Sequence, residues 1–252
     1  MRPVEVRLEA GEKLEQLGQG LFIIQHEQGY RFSVDAVLLA GFVEPKPGEN
    51  IFDLGTGSGV IPLLLWLREN RIRVTGLEIQ PRLASQAQRS VLLNGLEDRI
   101  TIIQGDLREL PEEWLGRWDT VVTNPPFFPG AGAGRINTCR EKAVARHEIA
   151  CTLAEVVAAA GKLLKRKGRF LLIHKPERLP ELLELLGRHG FKLSRLAFVH
   201  PKENRPANLM LVEAVLGGGK PPLILPPVVM RDEKLNYTPQ LEKLFAGGNL
   251  FS

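Results

Sequence analysis

The stretch IFDLGTGSGV, residues 51–60, gives the clearest indication of the fold. Its first four residues are mostly apolar and lead into Gly55, which is typical of a strand buried in a parallel sheet. Three glycines follow in the spacing GxGxG, and the apolar segment 58–70 has the pattern of a helix. Because glycine lets the backbone approach a ligand closely, this turn predicts a ligand-binding loop at the edge of an α/β sheet.

Strand and helix patterns alternate along the rest of the chain as far as residue 216. This alternation predicts a doubly wound, mostly parallel sheet with helices on both faces. Only the segment PKENRP, residues 201–206, separates the last two strands, which we therefore expect to pair antiparallel. The predicted strands are 49–54, 72–79, 99–106, 118–124, 168–174, 191–200 and 207–216, and the predicted helices are 58–70, 81–95, 152–165 and 177–190.

The sequence predicts three parts along the chain. Residues 1–48 form an N-terminal extension, with a hairpin around Gly18–Gly20 and a helix at 34–43. Residues 49–216 form the α/β domain. Residues 217–252 form a short C-terminal tail, whose glycines and prolines are typical of a linker or of a segment that wraps the surface.

Composition argues against several classes of protein. The apolar run VIPLLLWL is too short to span a bilayer, and the charged N-terminus lacks the apolar stretch of a signal peptide. Cys139 and Cys151 have neither CxxC spacing nor a histidine pair nearby, which argues against a metal site. We therefore expect a cytoplasmic protein with no metal and no membrane partner.

The GxGxG loop suits a nucleoside cofactor with a cationic end better than a dinucleotide. A dinucleotide-binding loop has the spacing GxGxxG, and its pyrophosphate lies at the helix N-terminus. Asp53, two residues before the first glycine, can balance the cationic methionine end of S-adenosylmethionine. Glu78 ends the second strand, where a carboxylate can accept both hydrogen bonds of a ribose diol. Asp106 ends the third strand, where it can accept a hydrogen from the adenine amine.

Three acids at three consecutive strand ends lie along the edge where open α/β sheets bind ligands. Each acid alone is more often a solvated residue, and the glycine loop alone is equally consistent with a tight structural turn. Together they predict S-adenosylmethionine as the cofactor. The predicted cofactor-binding residues in this part of the chain are Asp53, Gly55, Gly57, Ser58, Gly59, Glu78, Ile79, Asp106, Leu107 and Asn124.

The fourth strand ends in TNPPFF, at the next position along the same edge. Proline is rare inside a buried strand because it lacks a backbone donor, so this composition indicates a shaped turn. The side-chain oxygen of Asn124 and the carbonyl of Pro125 are two acceptors that can hold an aromatic amine, while Pro126 helps to fix the turn. Phe127 offers a face on which a base can stack. The predicted catalytic residues are Asn124, Pro125, Pro126 and Phe127.

With these motifs, residues 51–216 resemble the class I S-adenosylmethionine-dependent methyltransferases, and Asn-Pro-Pro-Phe resembles the motif of those that act on planar nitrogens. This resemblance implies a seven-stranded sheet with an antiparallel last hairpin. With GYRFSVDAVLLAGFV (29–43), ARHE (145–148) and HKPERL (174–179), nearly the whole chain is similar to the family that methylates N6 of adenine 37 in a valine tRNA. A tRNA substrate is therefore implied.

Two segments beside the predicted site are expected to cover it. Before the domain, Phe32 would pack on the methionine end of the cofactor. Ser33 and Asp35 would hydrogen-bond it or cap the helix at 34–43, and for Ser33 the two roles are equally good interpretations. Residues 129–150 form a long connection, which is typical of a lid.

Positive charge is concentrated in one part of the chain. The sequence has a net charge of +4, yet residues 161–205 contain twelve Lys or Arg and only four Glu. One interpretation is a basic face for an anionic polymer such as RNA. The other is a set of solvated cations, since KLLKRKGR would place several of them at the C-terminal end of a helix.

Other functions are consistent with the same motif. A protein glutamine N5-methyltransferase and a guanine N2-methyltransferase of ribosomal RNA face similar chemistry, and an RNA-binding module with a vestigial pocket is a non-enzymatic alternative. The glutamine enzymes usually have tyrosine at the Phe127 position, and the basic segment favours RNA. We therefore predict transfer of a methyl group from S-adenosylmethionine to the N6 amine of an adenine in tRNA.

Overall fold

The computed structural model describes residues 6–18, 20–27, 33–126 and 151–251. Its strands are β1 (Glu12–Gly18), β2 (Leu21–His26), β3 (Asn50–Leu54), β4 (Arg73–Glu78), β5 (Ile100–Gln104), β6 (Trp118–Thr123), β7 (Leu164–His174), β8 (Phe191–Lys202), β9 (Leu209–Leu216), β10 (Leu223–Ile224) and β11 (Val228–Arg231). The helices are α1 (Val34–Phe42), α2 (Val60–Arg68), α3 (Pro81–Leu93), α4 (Leu153–Leu163), α5 (Leu179–Arg188) and α6 (Pro239–Phe245).

Strands β3 to β9 form the expected doubly wound sheet, in the order β8-β9-β7-β6-β3-β4-β5. Neighbours from β5 to β7 pair parallel, and β9 pairs antiparallel with both β7 and β8. The prediction of a mostly parallel sheet with an antiparallel last hairpin is therefore confirmed. Two short strands from the tail, β10 and β11, pair parallel with β8 and extend the sheet to nine strands.

Successive side chains of each central strand point to opposite faces, and each face has its own apolar core. On one face, Ile51 packs in a core with residues of α1, α2 and α3. On the other face, Phe52 and Leu54 pack in a core with residues of α4 and α5. Helices on both faces leave only the two ends of the parallel strands free to bind a ligand.

The N-terminal hairpin of β1 and β2 is attached to α3 by hydrogen bonds and a salt bridge. The backbone N–H of Ile24 donates to Ser90 Oγ at 3.0 Å, and that of Phe22 donates to Asn94 Oδ1 at 3.0 Å. Glu12 forms a salt bridge of 2.6 Å with Arg89, and the side chain of Glu12 is only 1% exposed. The predicted hairpin is thus present, and α3 fixes its position beside the sheet.

The tail contributes to the core rather than only covering the surface. Leu241, Leu244 and Leu250 are buried in the same core as α1. A Cβ atom on Gly41 would lie 2.2 Å from Leu244 Cδ1, so glycine in α1 is what lets α6 approach this closely. The expected linker or wrapping segment is therefore integrated into the fold through α6 and Leu250.

Replacing Arg89 with Met should lower the free energy of unfolding near neutral pH by about 2 kcal/mol, because the buried Glu12 carboxylate loses its charged partner. The Arg89 guanidinium lowers the pKa of Glu12 from 4.5 to about 2. This stabilisation is complete above pH 4.5 and is lost as the pH falls through about 2. Denaturant unfolding should therefore show that the difference in free energy of unfolding between wild type and variant shrinks as the pH falls from 4.5 to about 2.

The matched control is Arg71→Met, which breaks an exposed pair with Glu69. Solvent screens such a pair, so no measurable change in stability is expected. Equal losses in both variants would contradict a specific role for the Glu12–Arg89 pair in holding the hairpin.

Candidate active site

The pairing register brings the carboxyl ends of four strands to one edge of the sheet. Leu54, the last residue of β3, lies opposite Leu77 of β4 on one side and Thr123 of β6 on the other. Glu78, the last residue of β4, lies opposite Gln104 of β5. The glycine loop, Glu78, the segment after β5 and the segment after β6 therefore start side by side.

The glycine loop turns sharply over the end of β3. Gly55, Gly57 and Gly59 have φ values of 74°, 58° and 85°, a region that side chains other than glycine rarely adopt. The N–H groups of Gly55 and Thr56 both donate to Leu77 O, at 2.9 and 3.0 Å. The loop is thus anchored to β4, and Gly59 is the N-cap residue of α2, in a left-handed conformation.

Glu78 holds the loop in place while keeping acceptor capacity. It is 5% exposed, and its carboxylate accepts hydrogen bonds from Gly57 N–H at 2.8 Å and from Gln80 N–H at 2.9 Å. Burial raises the pKa of Glu78, and the backbone N–H groups of Gln80 and Gly57 oppose this change. Each oxygen retains a second lone pair, so the carboxylate can still accept a ribose diol. The next residue, Ile79, is half-buried.

Asp53 is a fully buried carboxylate whose two oxygens have no hydrogen-bond partner among the described residues. The hydroxyl of Thr56, which also belongs to the loop, lies near enough to act on the pKa of Asp53 but makes no hydrogen bond of ordinary geometry among the described residues. Burial raises the pKa of Asp53 to about 7, while the Thr56 hydroxyl lowers it and the Glu78 carboxylate raises it further. A buried carboxylate of this kind is costly unless a cation pairs with it. The site therefore fits the cationic methionine end of S-adenosylmethionine.

Asp106 lies two residues beyond β5 and forms a salt bridge with Arg108. Arg108 donates to Asp106 through its backbone N–H at 2.9 Å and through its guanidinium, with Nε at 2.9 Å from both carboxylate oxygens. The Arg108 side chain lowers the pKa of Asp106. An adenine amine that bonds this carboxylate must therefore compete with a local ion pair. Leu107, between the two, is half-buried and offers apolar contact.

The segment after β6 begins one residue earlier than predicted, because β6 ends at Thr123. Thr123 Oγ1 donates to Leu54 O at 2.8 Å, which ties the end of β6 to the end of β3. Asn124 is half-buried, Pro125 is buried and Pro126 is exposed. Asn124 thus starts one residue past the strand, on the same edge as Asp53. Phe127 and the expected lid at 129–150 lie outside the described residues.

The start of α1 lies near the end of β7. Ser33 occupies the N-cap position, but its side chain makes no capping hydrogen bond to the helix. Burial raises the pKa of Asp35, while the Ser33 hydroxyl and the charge of Lys175 lower it. Lys175 directly follows β7, so Asp35 lies within electrostatic reach of the ligand-binding edge. Phe32 lies outside the described residues.

Two further residues, Gln25 and Gly76, shape the site but were not among the residues predicted from the sequence. Gln25 of the hairpin is fully buried, and its Nε2 lies 3.5 Å from Oγ of Ser58 in the glycine loop. A Cβ atom on Gly76 of β4 would lie 2.7 Å from Thr56 Oγ1, so only glycine leaves room for the loop. The one sequence signal for Gln25 is an amide within the apolar strand LFIIQH.

The described residues contain no helix with both the length and the apolar character needed to cross a membrane. Within the same ranges, no group of three or more His, Cys, Asp or Glu side chains is arranged to hold a metal ion.

A doubly wound sheet with an antiparallel last hairpin, a GxGxG loop and acids at its strand ends defines the class I S-adenosylmethionine-dependent methyltransferases. Solved structures have the same fold. A predicted O-methyltransferase from Agrobacterium tumefaciens aligns with a TM-score of 0.68, at 22% identity, over 85% of this chain and 97% of its own. A geranyl diphosphate C-methyltransferase from Streptomyces coelicolor A3(2), solved with S-adenosyl-L-homocysteine, has a TM-score of 0.54 at 12% identity, over 71% and 75%.

Comparison with related sequences identifies the family within this class. Residues 31–186 match the model of the methyltransferase small domain family. A tRNA1(Val) (adenine(37)-N6)-methyltransferase from Porphyromonas gingivalis is 33% identical over 190 residues, which are 73% of each chain. One from Yersinia pestis (strain Pestoides F) is 27% identical over 229 residues, 89% of this chain and 90% of its own. The chain belongs to the methyltransferase small domain family, in the group that contains these tRNA1(Val) (adenine(37)-N6)-methyltransferases.

Asp53→Asn should make the protein without cofactor more stable at pH 8, by about 2 kcal/mol, because it removes a buried charge that has no partner. The pKa of Asp53 rises from 3.8 to about 7 on folding, so its ionisation costs stability progressively between those two pH values. The gain should therefore grow from pH 4 to pH 7 and be absent below pH 4. Adding S-adenosylmethionine should raise the Tm of the wild type but not of the variant.

Asp119→Asn is the matched control, because Asp119 is paired with Lys165 at 2.7 Å and accepts the Asn50 N–H at 2.9 Å. That variant should lose stability and keep its cofactor-induced rise in Tm. If Asp53→Asn bound the cofactor as tightly as the wild type, Asp53 would not be the counter-charge.

Proposed function

We propose that this protein methylates the N6 amine of an adenine in tRNA, with adenine 37 of a valine tRNA as the substrate nucleotide. The observation that carries the proposal is the position of Asn124 and Pro125. They follow β6 directly, on the sheet edge that also holds the buried and unpartnered Asp53. The names of the relatives from Porphyromonas gingivalis and Yersinia pestis support adenine and tRNA as the target.

S-adenosylmethionine supplies an electrophilic methyl group when it is bound. Asp53 would balance the positive charge of the methionine end, and Glu78 would accept the ribose hydroxyls. Asp106 would accept from the adenine of the cofactor, with Leu107 and Ile79 in apolar contact. The backbone of Gly55, Gly57, Ser58 and Gly59 would line the cavity, and Phe32, Ser33 and Asp35 would close it from the side of α1.

The target amine presents a specific chemical problem, which the acceptors at the end of β6 would solve. Its lone pair is delocalised into the adenine ring, so the nitrogen is a poor nucleophile. Two acceptors, Asn124 Oδ1 and Pro125 O, would hold its two hydrogens and favour a pyramidal nitrogen. Transition-state stabilisation of this kind comes from orientation and electrostatics and requires no strong general base.

The proline residues would keep the Pro125 carbonyl directed away from the sheet. Pro125 is buried and Pro126 is exposed, so the chain leaves the core within two residues. Phe127 would stack on the target base, a contact worth about 1–3 kcal/mol. A base that enters such a site has left its stack, so the target nucleotide is flipped out or unpaired.

Glutamine in a protein and guanine N2 in ribosomal RNA are the competing substrates, because each presents a planar nitrogen to the same two acceptors. The two relatives named above favour adenine in tRNA over both. A purely RNA-binding role is less well supported, because it gives no reason to keep the costly, unpartnered Asp53 carboxylate.

The proposal is tested by incubating the protein with labelled S-adenosylmethionine and total RNA that lacks this modification. Nucleoside mass analysis should find label only in N6-methyladenosine, and fractionation should find it in a valine tRNA. Label in N2-methylguanosine, or in protein and not in RNA, would assign the function to one of the competing substrates instead.

Asn124→Ala should lower kcat for methyl transfer by about 10³-fold or more, because an acceptor that acts on the reacting amine is lost. The dissociation constant for S-adenosylmethionine, measured by calorimetry, should change only a few-fold. Asn249→Ala is the control, since Asn249 is exposed in the tail. That variant should retain wild-type kinetics, whereas near-normal turnover in Asn124→Ala would contradict the assigned role.

A further inference from the structure

Five exposed cations surround the amino end of β7, and we call them the amino-edge cluster. Hydrogen bonds to backbone carbonyls show that the segments carrying them are neighbours. Arg117 N–H donates to Leu163 O at 3.0 Å, and Gly116 N–H donates to the carbonyl of Lys162 at 2.9 Å. Lys167 Nζ donates to Gly217 O at 2.7 Å, and Gly217 N–H donates to Gly190 O at 2.9 Å. The members are Arg117, Lys162, Arg166, Lys167 and Lys192.

The cluster has a local excess of positive charge. Several other cations of the basic segment are paired, as Lys165 is with Asp119 and Arg188 with Glu184. Arg169 and Arg195 face inward, where they bond Glu49 and Glu213. By contrast, no member of the cluster forms a salt bridge with a carboxylate of the described residues. The excess charge therefore lies on the surface, available to an anionic partner.

The alternative interpretation of these cations, that they lie at the C-terminal end of a helix and interact with its dipole, applies to Lys162 only. The structure ends α4 at Leu163 and begins β7 at Leu164, four residues before the predicted start. Arg166 and Lys167 are thus strand residues, with Lys167 in a left-handed turn at φ 67°. A helix dipole does not account for them.

The cluster lies on the edge of the sheet opposite to the candidate active site. Strand β7 runs parallel to β6, and Leu172 near its carboxyl end lies opposite Thr123, the last residue of β6. Strand β7 bulges between Leu164, opposite Trp118, and Arg169, opposite Thr120, so Lys167 is level with the start of β6. From there to Asn124 is about five residues of β6, or about 17 Å of extended strand. A group that contacts Arg166 or Lys167 is therefore not the nucleotide that reaches Asn124.

We propose that the amino-edge cluster is a second RNA-binding surface, which binds substrate phosphates remote from the target base. The proposal rests on the proposed function, because it needs an RNA whose target nucleotide lies at the carboxyl edge. RNA fits because its backbone repeats negative charge at short intervals, and a set of cations gains affinity by releasing counterions from it. A distance of about 17 Å corresponds to about six base pairs of A-form RNA, which rises about 2.8 Å per base pair.

This geometry makes the cluster a sensor of substrate size. A folded RNA with more than about six base pairs beyond the target loop can reach both sites at once. A hairpin with a stem of about four base pairs, about 11 Å long, can reach only the catalytic edge. The enzyme should therefore select a whole tRNA over its isolated loop through KM and not through kcat.

The test compares the wild type with Arg166→Glu/Lys192→Glu on two RNAs that share the target nucleotide, a full-length valine tRNA and a four-base-pair hairpin. For the full-length tRNA, Kd and KM should rise about ten-fold, and the salt dependence of log Kd should lose a slope of about 2. Its kcat should stay within two-fold. For the hairpin, Kd, KM and salt slope should match those of the wild type.

Arg73→Glu/Arg99→Glu is the matched control, with the same change of charge at exposed residues on the amino ends of β4 and β5. These strands lie three and four strands away from β7, and the control should bind both RNAs as the wild type does. Circular dichroism and Tm should be unchanged in both double variants, because the substituted side chains are exposed.

Unchanged binding of the full-length tRNA by Arg166→Glu/Lys192→Glu would overturn the proposal, and the cluster would then fit another anionic partner such as an acidic protein. Equal losses on the hairpin and on the full-length tRNA would also overturn it, because the hairpin cannot reach that edge. If the wild type methylated neither RNA but the difference in Kd persisted, the proposed function would fail and the surface would stand.

Discussion

Parallel pairing of β3 with β4 on one side and with β6 on the other fixes where every part of the site lies. Because Leu54 is level with both Leu77 and Thr123, the residues that follow each strand emerge at one edge. The glycine loop, the Glu78 carboxylate and the Asn-Pro-Pro turn become neighbours through this register alone. A shift of the pairing register by one residue would move the Asp53 side chain to the other face of the sheet, away from the rest of the site.

Stability and function oppose each other at this edge. Asp53 is buried with no hydrogen-bond partner among the described residues, and its pKa is raised to about 7, so the folded protein without cofactor bears the cost of a desolvated carboxylate. Other contacts offset that cost. Glu78 binds the backbone of the loop, Thr123 ties β6 to β3, and the Glu12–Arg89 pair holds the hairpin that brings Gln25 to Ser58. The strained position is thus surrounded by rigid elements, as a preorganised site requires.

Much of this arrangement could be predicted from the sequence, because strand ends and glycine spacing are local signals. The order of the predicted strands, with a polar residue at the end of each, was enough to predict that Asp53, Glu78 and Asn124 lie at one edge of the sheet. The sequence does not show which side chains compete with a ligand for a carboxylate. The salt bridge between Asp106 and Arg108, two residues later, is visible only in the structure. The start of β7 was misplaced because KLLKRKGR has no clear period, and the core role of the tail was missed because Leu241, Leu244 and Leu250 stand far along the chain from α1.

The central claim is that an amide and a carbonyl at the tip of β6 hold an adenine amine opposite the methyl donor. A crystal structure with S-adenosyl-L-homocysteine and a substrate RNA is the most direct measurement. It should place the adenine N6 within hydrogen-bond distance of both Asn124 Oδ1 and Pro125 O, with Asp53 facing the methionine end of the cofactor. An Asn124 side chain turned into the sheet, with the target base bound elsewhere, would contradict it.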